Sequence, residues 1–369
     1  MSAVLENLEK PTLLLNETAA RSNIHRMADK ARLLGARFRP HFKTHQSAEI
    51  GGWFRALGIE AITVSSVDMA LYFADHGWQD ITIAFPANLR QGRSIAALAE
   101  RVRLGLLVES VEAVEALTRV VHAPVDLWIK IDTGAHRTGL AWDGTDEAAS
   151  VAASAAQVSN FNLRGLLTHA GNTYAARGAA QVCRLARQSV ERIHGLRCTL
   201  QTQGFDPLEV SIGDTPSTSL CESLGTIDEI RPGNFVFYDA QQIQIGACRW
   251  QDAAVALACP VTAVHSRRGE AVVYGGAVHL SKDYLMDGET RSYGMVCLPE
   301  GAGWGAPVSG AWVAGLSQEH GLLHLPDSIL AGLRLGDLLC IIPAHSCLTV
   351  TLMKRYLTLD GRTIETMNA

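Results

Sequence analysis

Short apolar runs alternate with segments of helical periodicity over about the first 240 residues of this 369-residue chain. Short buried strands that alternate with helices are typical of parallel βαβ units, and roughly eight such units fit a closed barrel. The sequence therefore predicts a (β/α)₈ TIM-type barrel. A doubly wound open sheet stays an alternative, because periodicity does not prove closure. The predicted strands include residues 61–65, 81–85, 104–108, 125–132, 163–169, 209–213 and 234–238.

After about residue 250 the pattern changes to strand-like runs separated by glycines and charged turns, with few helical segments. We therefore predict two domains, a barrel over residues 12–248 and a β-rich domain over residues 249–369. Residues 1–11 are expected to pack with the β-rich domain. Its predicted strands cover residues 253–265, 270–278, 312–315 and 337–352.

Composition excludes several classes of protein. The formal net charge of -5 and the lack of a lysine- and arginine-rich block argue against a nucleic-acid partner. No apolar stretch approaches the length of about 18 residues that a membrane-spanning helix needs. The eight cysteines include no CxxC pair, which predicts reduced thiols. A cytoplasmic protein without a membrane partner is the expectation.

Two basic residues follow predicted strands. Lys43 stands where strand character gives way to polar residues. A lysine at the end of a buried strand can form a Schiff base, because desolvation leaves its amine nucleophilic; the alternative is a surface lysine. Arg137 lies in the glycine-bracketed loop Asp-Thr-Gly-Ala-His-Arg-Thr-Gly. A fixed cation there can hold a phenolate or a carboxylate, and the alternative is a solvated arginine in a tight turn.

The segment Thr-His-Ala-Gly-Asn-Thr-Tyr places His169 and Tyr174 directly after another strand. Both side chains can touch an aromatic cofactor there, and His169 is a candidate catalytic residue. A histidine satisfied within the core is the alternative.

Two glycine-containing turns follow later strands of the barrel. Backbone N–H groups of such turns, together with Ser or Thr hydroxyls, make an anion site that suits a phosphate. Barrels commonly hold phosphate groups after their late strands. The candidate residues are Gly213 and Thr215 in Ser-Ile-Gly-Asp-Thr-Pro-Ser, and Gly233 and Asn234 in Arg-Pro-Gly-Asn.

His345 and Cys347 lie two residues apart in Pro-Ala-His-Ser-Cys. On an extended chain such residues project to the same side. An imidazole and a thiolate are a favourable pair for Zn²⁺, and two ligands leave open positions for water or substrate. The alternative is a buried cysteine beside an unrelated histidine.

In this order the motifs resemble a fold-type III pyridoxal-phosphate (PLP) enzyme. The closer resemblance is to the D-serine dehydratase/D-threonine aldolase family, a metal-dependent relative of alanine racemase. It extends over nearly the whole chain, from Pro-Thr-Leu-Leu-Leu through Arg-Pro-His-Phe-Lys-Thr-His to Gln-Glu-His-Gly and Pro-Ala-His-Ser-Cys. The resemblance implies an N-terminal barrel, a C-terminal β-domain and a head-to-tail homodimer.

The resemblance also assigns roles to the candidate residues. Lys43 is similar to the lysine that binds PLP covalently, and Arg137 to the arginine near the phenolic oxygen of PLP. Tyr174 resembles a tyrosine that touches the ring. The residues similar to the family's phosphate ligands are Gly213, Thr215, Gly233 and Asn234. The residues similar to its metal ligands are His345 and Cys347.

The implied function is a lyase that acts on a D-configured β-hydroxy amino acid. The PLP ring accepts the electrons released at Cα, and Zn²⁺ (or Mn²⁺ or Mg²⁺) binds the β-hydroxyl as a Lewis acid. If Lys43 removes the Cα proton, dehydration gives a 2-oxo acid and ammonia. If the β-hydroxyl is deprotonated instead, a retro-aldol cleavage follows. The His-x-Cys pair favours dehydration, with D-serine, D-threonine and 3-hydroxy-D-aspartate open as substrates.

Two other functions fit less well. A non-catalytic PLP carrier would lack the C-terminal β-domain and its metal pair. Alanine racemase activity uses a tyrosine of the C-terminal domain as its second base, and the sequence reveals no such tyrosine.

Overall fold

The computed structural model describes residues 3–369; residues 1 and 2 of the segment expected to pack with the β-rich domain lie outside the described residues. In chain order the strands are β1 (Thr12–Leu15), β2 (Arg37–Phe38), β3 (Ala61–Val64), β4 (Asp80–Pro86), β5 (Arg103–Val108), β6 (Val125–Asp132), β7 (Leu140–Ala141), β8 (Phe161–Leu167), β9 (Glu209–Ile212), β10 (Glu229–Ile230), β11 (Val255–His265), β12 (Glu270–Tyr274), β13 (Leu285–Asp287), β14 (Thr290–Ser292), β15 (Gly294–Glu300), β16 (Gly303–Leu316), β17 (His320–His324), β18 (Leu338–Pro343), β19 (Arg355–Thr358) and β20 (Thr363–Glu365).

The α-helices are α1 (Ala3–Glu6), α2 (Glu17–Leu33), α3 (Ala48–Arg55), α4 (Val67–Asp75), α5 (Gly92–Ala99), α6 (Val111–Thr118), α7 (Thr145–Ala156), α8 (Gly178–Thr202), α9 (Thr215–Leu220), α10 (Ala240–Ile245), α11 (Ala277–Leu280), α12 (Asp327–Leu330) and α13 (Ser346–Met353). Short 3₁₀ helices cover Leu89–Gln91, Gly171–Ala175, Asn234–Val236, Trp250–Asp252 and Ser266–Arg268. No helix in this described part of the chain is long and apolar enough to cross a membrane.

One compact unit, residues 26–43 and 51–233, contains a parallel sheet in the order β2-β10-β9-β8-β6-β5-β4-β3, with β7 paired to β6. The two ends of this sheet meet, because His41 forms a parallel bridge with Thr63 of β3. The Phe42 N–H donates to the Thr63 carbonyl at 2.8 Å, and the Thr63 N–H donates to the Pro40 carbonyl at 2.9 Å. The strands thus close into the predicted barrel, and the open sheet is excluded.

Two helices of the barrel unit, α4 and α6, begin where a serine side chain caps them. The Ser66 hydroxyl accepts from the N–H of Met69 at the start of α4, and the Ser110 hydroxyl accepts from the N–H of Ala113 at the start of α6. Each bond satisfies one of the N–H groups that a helix leaves unpaired at its N-terminus. The starts of α4 and α6 are therefore encoded locally.

The last barrel strand differs from the prediction. The sequence predicts a last strand over residues 234–238, but the last strand of the barrel is β10 (Glu229–Ile230). Asn234–Val236 form a 3₁₀ turn instead. The N–H groups of Phe237 and Tyr238 both donate to the Asn234 carbonyl, at 3.1 and 2.7 Å. The side chains of residues 235–237 are buried apolar groups, which suit a buried strand and a buried turn equally well. The apolar run alone therefore gave the wrong element.

The second compact unit comprises residues 3–25, 44–50 and 234–369. Its sheet has the order β12-β17-β16-β15-β18-β11-β1-β19-β20, and β12 also pairs with β11. Strand β1 lies inside this sheet, antiparallel to β11 and parallel to β19. Residues from several strands of this sheet, together with Leu5 of α1, are buried in one hydrophobic cluster. It includes Leu14, Ala256, Ala258, Cys297, Cys340 and Ile342. The chain therefore has the expected C-terminal β-rich region.

The bounds of the two compact units differ from those of the predicted domains, 12–248 and 249–369. Residues 12–25, 44–50 and 234–248 cluster with the β-rich unit. The physical reason for the first of these segments is backbone pairing, since Leu14 of β1 lies opposite Ala256 of β11 and Leu357 of β19. The unit is thus built from three separate stretches of the chain.

The expectation of uniformly reduced cysteines is wrong. Cys183 of α8 and Cys221, directly after α9, form a disulfide with a Cα–Cα distance of 5.4 Å. The remaining cysteines are free thiols. The two partners are 38 residues apart in sequence and meet only because α8 packs against α9. Spacing along the chain therefore carried no signal for this pair.

Candidate active site

Lys43 lies just beyond β2, in a turn held by its neighbours in the barrel unit. Phe42 is fully buried, and its ring centroid lies 5.0 Å from those of Phe54, Phe73 and Trp78. These contacts fix the backbone immediately before the lysine. The Lys43 side chain itself is half-buried.

Positive charges lie near two histidines of the same unit, of which His41 is buried and His169 is half-buried. Burial lowers the pKa of the His41 imidazole and that of the His169 imidazole well below the ordinary value. Nearby positive charges lower both pKa values further, and they belong to Lys43, Arg137 and Arg231. This part of the barrel therefore combines neutral imidazoles with several cations. Such a composition suits a ligand that carries more than one negative charge.

His169 and Tyr174 contact the first of the two predicted phosphate turns. Nδ1 of His169 donates to the Gly213 carbonyl at 2.5 Å, which leaves Nε2 of the neutral ring as an acceptor. The Thr215 N–H donates to the Tyr174 hydroxyl oxygen at 3.4 Å, and the His169 and Tyr174 ring centroids are 6.0 Å apart. The structure thus brings these four predicted residues together.

The second phosphate turn, with Gly233, lies beside the first. A Cβ atom at Gly213 would lie 3.0 Å from Cβ of Arg231 and 3.0 Å from its carbonyl oxygen. A side chain at position 213 would therefore have to push the two turns apart by a few tenths of an ångström. The result is a pair of adjacent turns at the ends of β9 and β10, where backbone N–H groups can converge on a phosphate.

Arg231 is a residue of this site that the sequence did not single out. Its guanidinium is buried and donates from Nε to the Ser211 hydroxyl at 2.7 Å and from an NH₂ group to the Thr168 carbonyl at 2.5 Å. Burial lowers the pKa of Arg231 to about 10. Its charge acts on both His41 and His169. The sequence signal for Arg231 is its position in the Arg-Pro-Gly-Asn turn, whose glycine and asparagine are predicted phosphate ligands.

In the β-rich unit His345 and Cys347 lie at the start of a helix and not, as predicted, on an extended strand. The extended run over residues 337–352 is wrong, because β18 ends at Pro343 and α13 follows. His345 is the N-cap of α13, with extended φ and ψ of -137° and 117°, and Cys347 lies in the first turn. The two side chains nevertheless form a hydrogen bond.

Asp239, another residue that the sequence did not single out, organises this pair. Its fully buried carboxylate lies 3.2 Å from Nδ1 of His345 and accepts from the Ser346 N–H at 3.0 Å and from the Asn234 amide at 2.6 Å. Burial lowers the pKa of His345, but the negative charges of Cys347 and Asp239 outweigh it and raise that pKa well above its ordinary value. The side-chain amide of Asn234 is therefore engaged within this network.

The donor set fits an open metal site. A carboxylate that holds Nδ1 of a histidine leaves Nε2 as a ligand, an arrangement that is common at metal centres. The Cys347 sulfur lies 3.2 Å from the hydroxyl of Thr44, the residue that follows Lys43 in the chain. Among residues 3–369 no three His, Cys, Asp or Glu side chains are grouped as a metal site. His345 and Cys347 thus fit a centre completed by water or substrate rather than a closed structural site.

Comparisons with known proteins match both units. Residues 15–241 match the model of the alanine racemase N-terminal domain, and residues 254–359 match that of a serine dehydratase domain. The chain is 30% identical to D-threo-3-hydroxyaspartate dehydratase of Delftia sp. strain HT23, over 98% of this chain and 97% of the relative. It is 26% identical to D-serine dehydratase of Dictyostelium discoideum, over 95% and 93% of the two chains.

A solved structure extends the likeness to the fold. A cysteine-to-alanine mutant of D-threo-3-hydroxyaspartate dehydratase in the metal-free form superimposes with a TM-score of 0.90. The two sequences are 28% identical, and the match covers 99% of each chain. The order of elements described above is therefore shared along the whole length of that protein.

Proposed function

Because the chain belongs to the family that joins an alanine racemase N-terminal domain to a serine dehydratase domain, we propose that it is a PLP-dependent lyase. The proposed substrate is a D-configured β-hydroxy amino acid, and the proposed products are a 2-oxo acid and ammonia. Dehydration is preferred to retro-aldol cleavage because the 30% identical relative is a dehydratase. Homodimer formation and a cytoplasmic location stay predictions.

The observation that carries the proposal is the setting of Lys43. This amine stands at the end of a barrel strand, and its charge acts on two neutral imidazoles together with the charges of Arg137 and Arg231. A phosphorylated, phenolic aldehyde carries negative charge at both ends and a group that reacts with an amine. PLP is such a molecule, so its chemistry matches the residues present.

Each barrel residue has a proposed task. When bound, PLP supplies an electron sink for the negative charge that develops at the substrate Cα. Lys43 would hold the cofactor covalently through Nζ, and the same nitrogen, freed when the substrate amine takes its place, would accept the Cα proton. Arg137 stabilises the phenolate oxygen, and Tyr174 packs against the ring. His169, kept neutral, offers Nε2 as a hydrogen-bond acceptor.

The phosphate and metal groups have separate sets of ligands. We assign the phosphate to the turns that contain Gly213 and Thr215, and Gly233 and Asn234; the Asn234 contact would come from its backbone, because its amide bonds to Asp239. A bound divalent cation supplies a Lewis acid for the β-hydroxyl. His345 and Cys347 would hold it, and a nitrogen–sulfur pair favours Zn²⁺ over Mn²⁺ or Mg²⁺.

Borohydride reduction of the PLP-loaded protein tests the attachment site. We expect a stable pyridoxyl label on the peptide that contains Lys43, and loss of both label and turnover in Lys43→Ala. Lys130 is a demanding internal control, because it is buried, lies near the same charges, and burial lowers its pKa to about 8. A label on Lys130 would contradict the assignment of Lys43.

Product analysis then tests the reaction. The enzyme is incubated with D-serine, D-threonine and 3-hydroxy-D-aspartate, and the products are separated. A 2-oxo acid with ammonia supports the dehydratase. Glycine with an aldehyde or an oxo acid would assign the aldolase instead. A labelled protein that converts none of the three would support the PLP carrier.

A further inference from the structure

The loop that carries Arg137 does not hold its shape through its own side chains alone. We define the arginine loop as residues 133–139, between β6 and β7. Its backbone enters the left-handed region at Gly134 (φ 124°), His136 (φ 52°) and Gly139 (φ 111°). Positive φ at a non-glycine residue such as His136 costs free energy unless surrounding contacts stabilise it. The loop therefore depends on neighbours outside it.

The first part of the arginine loop is held by Asp132. Its Oδ1 atom accepts hydrogen bonds from the N–H groups of Gly134, Ala135 and His136, at 2.8, 2.9 and 3.1 Å. Arg137 follows directly, and its side chain is exposed. Asp132 thus fixes the backbone up to the residue before Arg137, but it does not bind both ends of the loop.

Arg192 of α8 contacts both ends. Its NH1 group donates to the carbonyl of Thr133 at 2.7 Å, where the chain leaves β6. The same guanidinium lies over the ring of Trp142, 4.9 Å from the centroid, where the chain leaves β7. The two ends also pair, since Asp132 lies opposite Ala141. A single side chain from a long helix therefore spans the base of the arginine loop.

Gly134 shows that this contact is close. A Cβ atom at this position would lie 2.9 Å from NH1 of Arg192. Glycine is thus needed both for the backbone φ and for the approach of the guanidinium. A lysine at 192 could supply a donor to Thr133 but not the planar group that stacks on Trp142.

We propose that Arg192 is a positioning residue, which fixes the Arg137 guanidinium by binding the two ends of the arginine loop. The proposal rests on the proposed function in one respect, namely that Arg137 contacts the phenolate oxygen of PLP. It adds a residue on α8 that touches neither substrate nor cofactor. It also explains why an exposed tryptophan follows β7.

Trypsin cleavage after Arg137 tests the loop without any cofactor. We expect Arg192→Ala in the full chain to be cleaved at this bond about tenfold faster than wild type, because a backbone hydrogen bond and a stacking contact are lost. Arg192→Lys and Trp142→Leu should each give a smaller increase. Arg187→Ala, an exposed arginine on the same helix, is the matched control and should not change the rate.

The visible spectrum of bound PLP tests the positioning role. A displaced Arg137 stabilises the phenolate less, so the pH midpoint of the chromophore should shift in Arg192→Ala and partly return in Arg192→Lys. Unchanged cleavage in Arg192→Ala would overturn the proposal. Faster cleavage with an unchanged midpoint would reduce Arg192 to a purely structural role and overturn it too. Failure of wild type to bind PLP would instead overturn the proposed function, while the cleavage result would still stand.

Discussion

Glu229 sets the charge balance inside the barrel at the scale of single residues. Its carboxylate is fully buried, 2.7 Å from Nε of Arg39, and accepts from the Ser211 hydroxyl at 2.7 Å. The same hydroxyl accepts from Nε of Arg231. Burial raises the pKa of Glu229, but the arginines outweigh it, so the pKa lies below its ordinary value. One carboxylate thus connects two buried arginines.

Replacing Glu229 with Gln should lower the free energy of unfolding by about 3 kcal/mol at pH 7, because buried cations lose their partner. Because the pKa of Glu229 is lower in the folded protein than in the unfolded chain, its charge stabilises the fold fully at a pH above the unfolded pKa of about 4.3. This stabilisation is lost as the pH falls through the folded pKa. The difference between wild type and variant should therefore shrink in urea unfolding at pH 3. An equal loss at both pH values would show that charge is not the cause. Glu191→Gln, on the exposed face of α8, is the control.

Site residues divide into those that local motifs predict and those that remote contacts create. Lys43, His169 and Tyr174 follow strands in recognisable segments, and all three lie in the barrel unit. Arg231 and Asp239 acquire their roles from groups far away in sequence, such as Thr168 for the one and His345 for the other. No local pattern contains those partners, so sequence reasoning did not identify them.

At the scale of elements, the segment after β18 shows why apolar runs mislead. Residues 346–353 are rich in β-branched and apolar side chains, which favour a strand. They form α13 because the Ser346 N–H donates to the buried carboxylate of Asp239, which satisfies the start of the helix. Tertiary contacts therefore decided between two elements that the composition allowed.

The disulfide between α8 and the end of α9 gives a prediction at the same scale. Cys221→Ser should lower the free energy of unfolding by about 2–4 kcal/mol, because the cross-link restricts the unfolded chain. Cys198→Ser, an exposed free thiol on α8, should have little effect. Thiol titration of denatured, unreduced protein should count six thiols. A count of eight would show that the pair is not bonded.

At the scale of the whole molecule, the β-rich unit combines segments that lie far apart in the sequence. The barrel was predictable because each βα unit repeats a local pattern. The β-rich unit instead draws β1 from the start of the chain and pairs it with β11 and β19. Such pairing depends on contacts across most of the sequence, which periodicity cannot show. The predicted domain boundary at residue 12 rests on local sequence patterns, whereas residues 12–25 cluster with the β-rich unit.

The two units also allow metal and cofactor to be tested separately. If His345 and Cys347 hold an open metal centre, chelation should stop turnover of β-hydroxy substrates. The unfolding midpoint should change little, because two ligands do not build a structural site. The borohydride label on Lys43 should persist, since no predicted PLP ligand of the barrel unit is a metal ligand. Metal content, thermal unfolding and peptide mapping measure the three effects.

Variants of the β-rich unit complete this last prediction. His345→Ala should reproduce the effect of chelation, and Asp239→Asn should weaken metal binding by about 10–100-fold, because the ring loses its carboxylate partner. His324→Ala is the matched control; that ring stacks on Trp312 with centroids 4.0 Å apart and should leave metal content unchanged. Unfolding on chelation would mean that the centre is structural. Full activity after complete metal removal would exclude His345 and Cys347 as catalytic metal ligands.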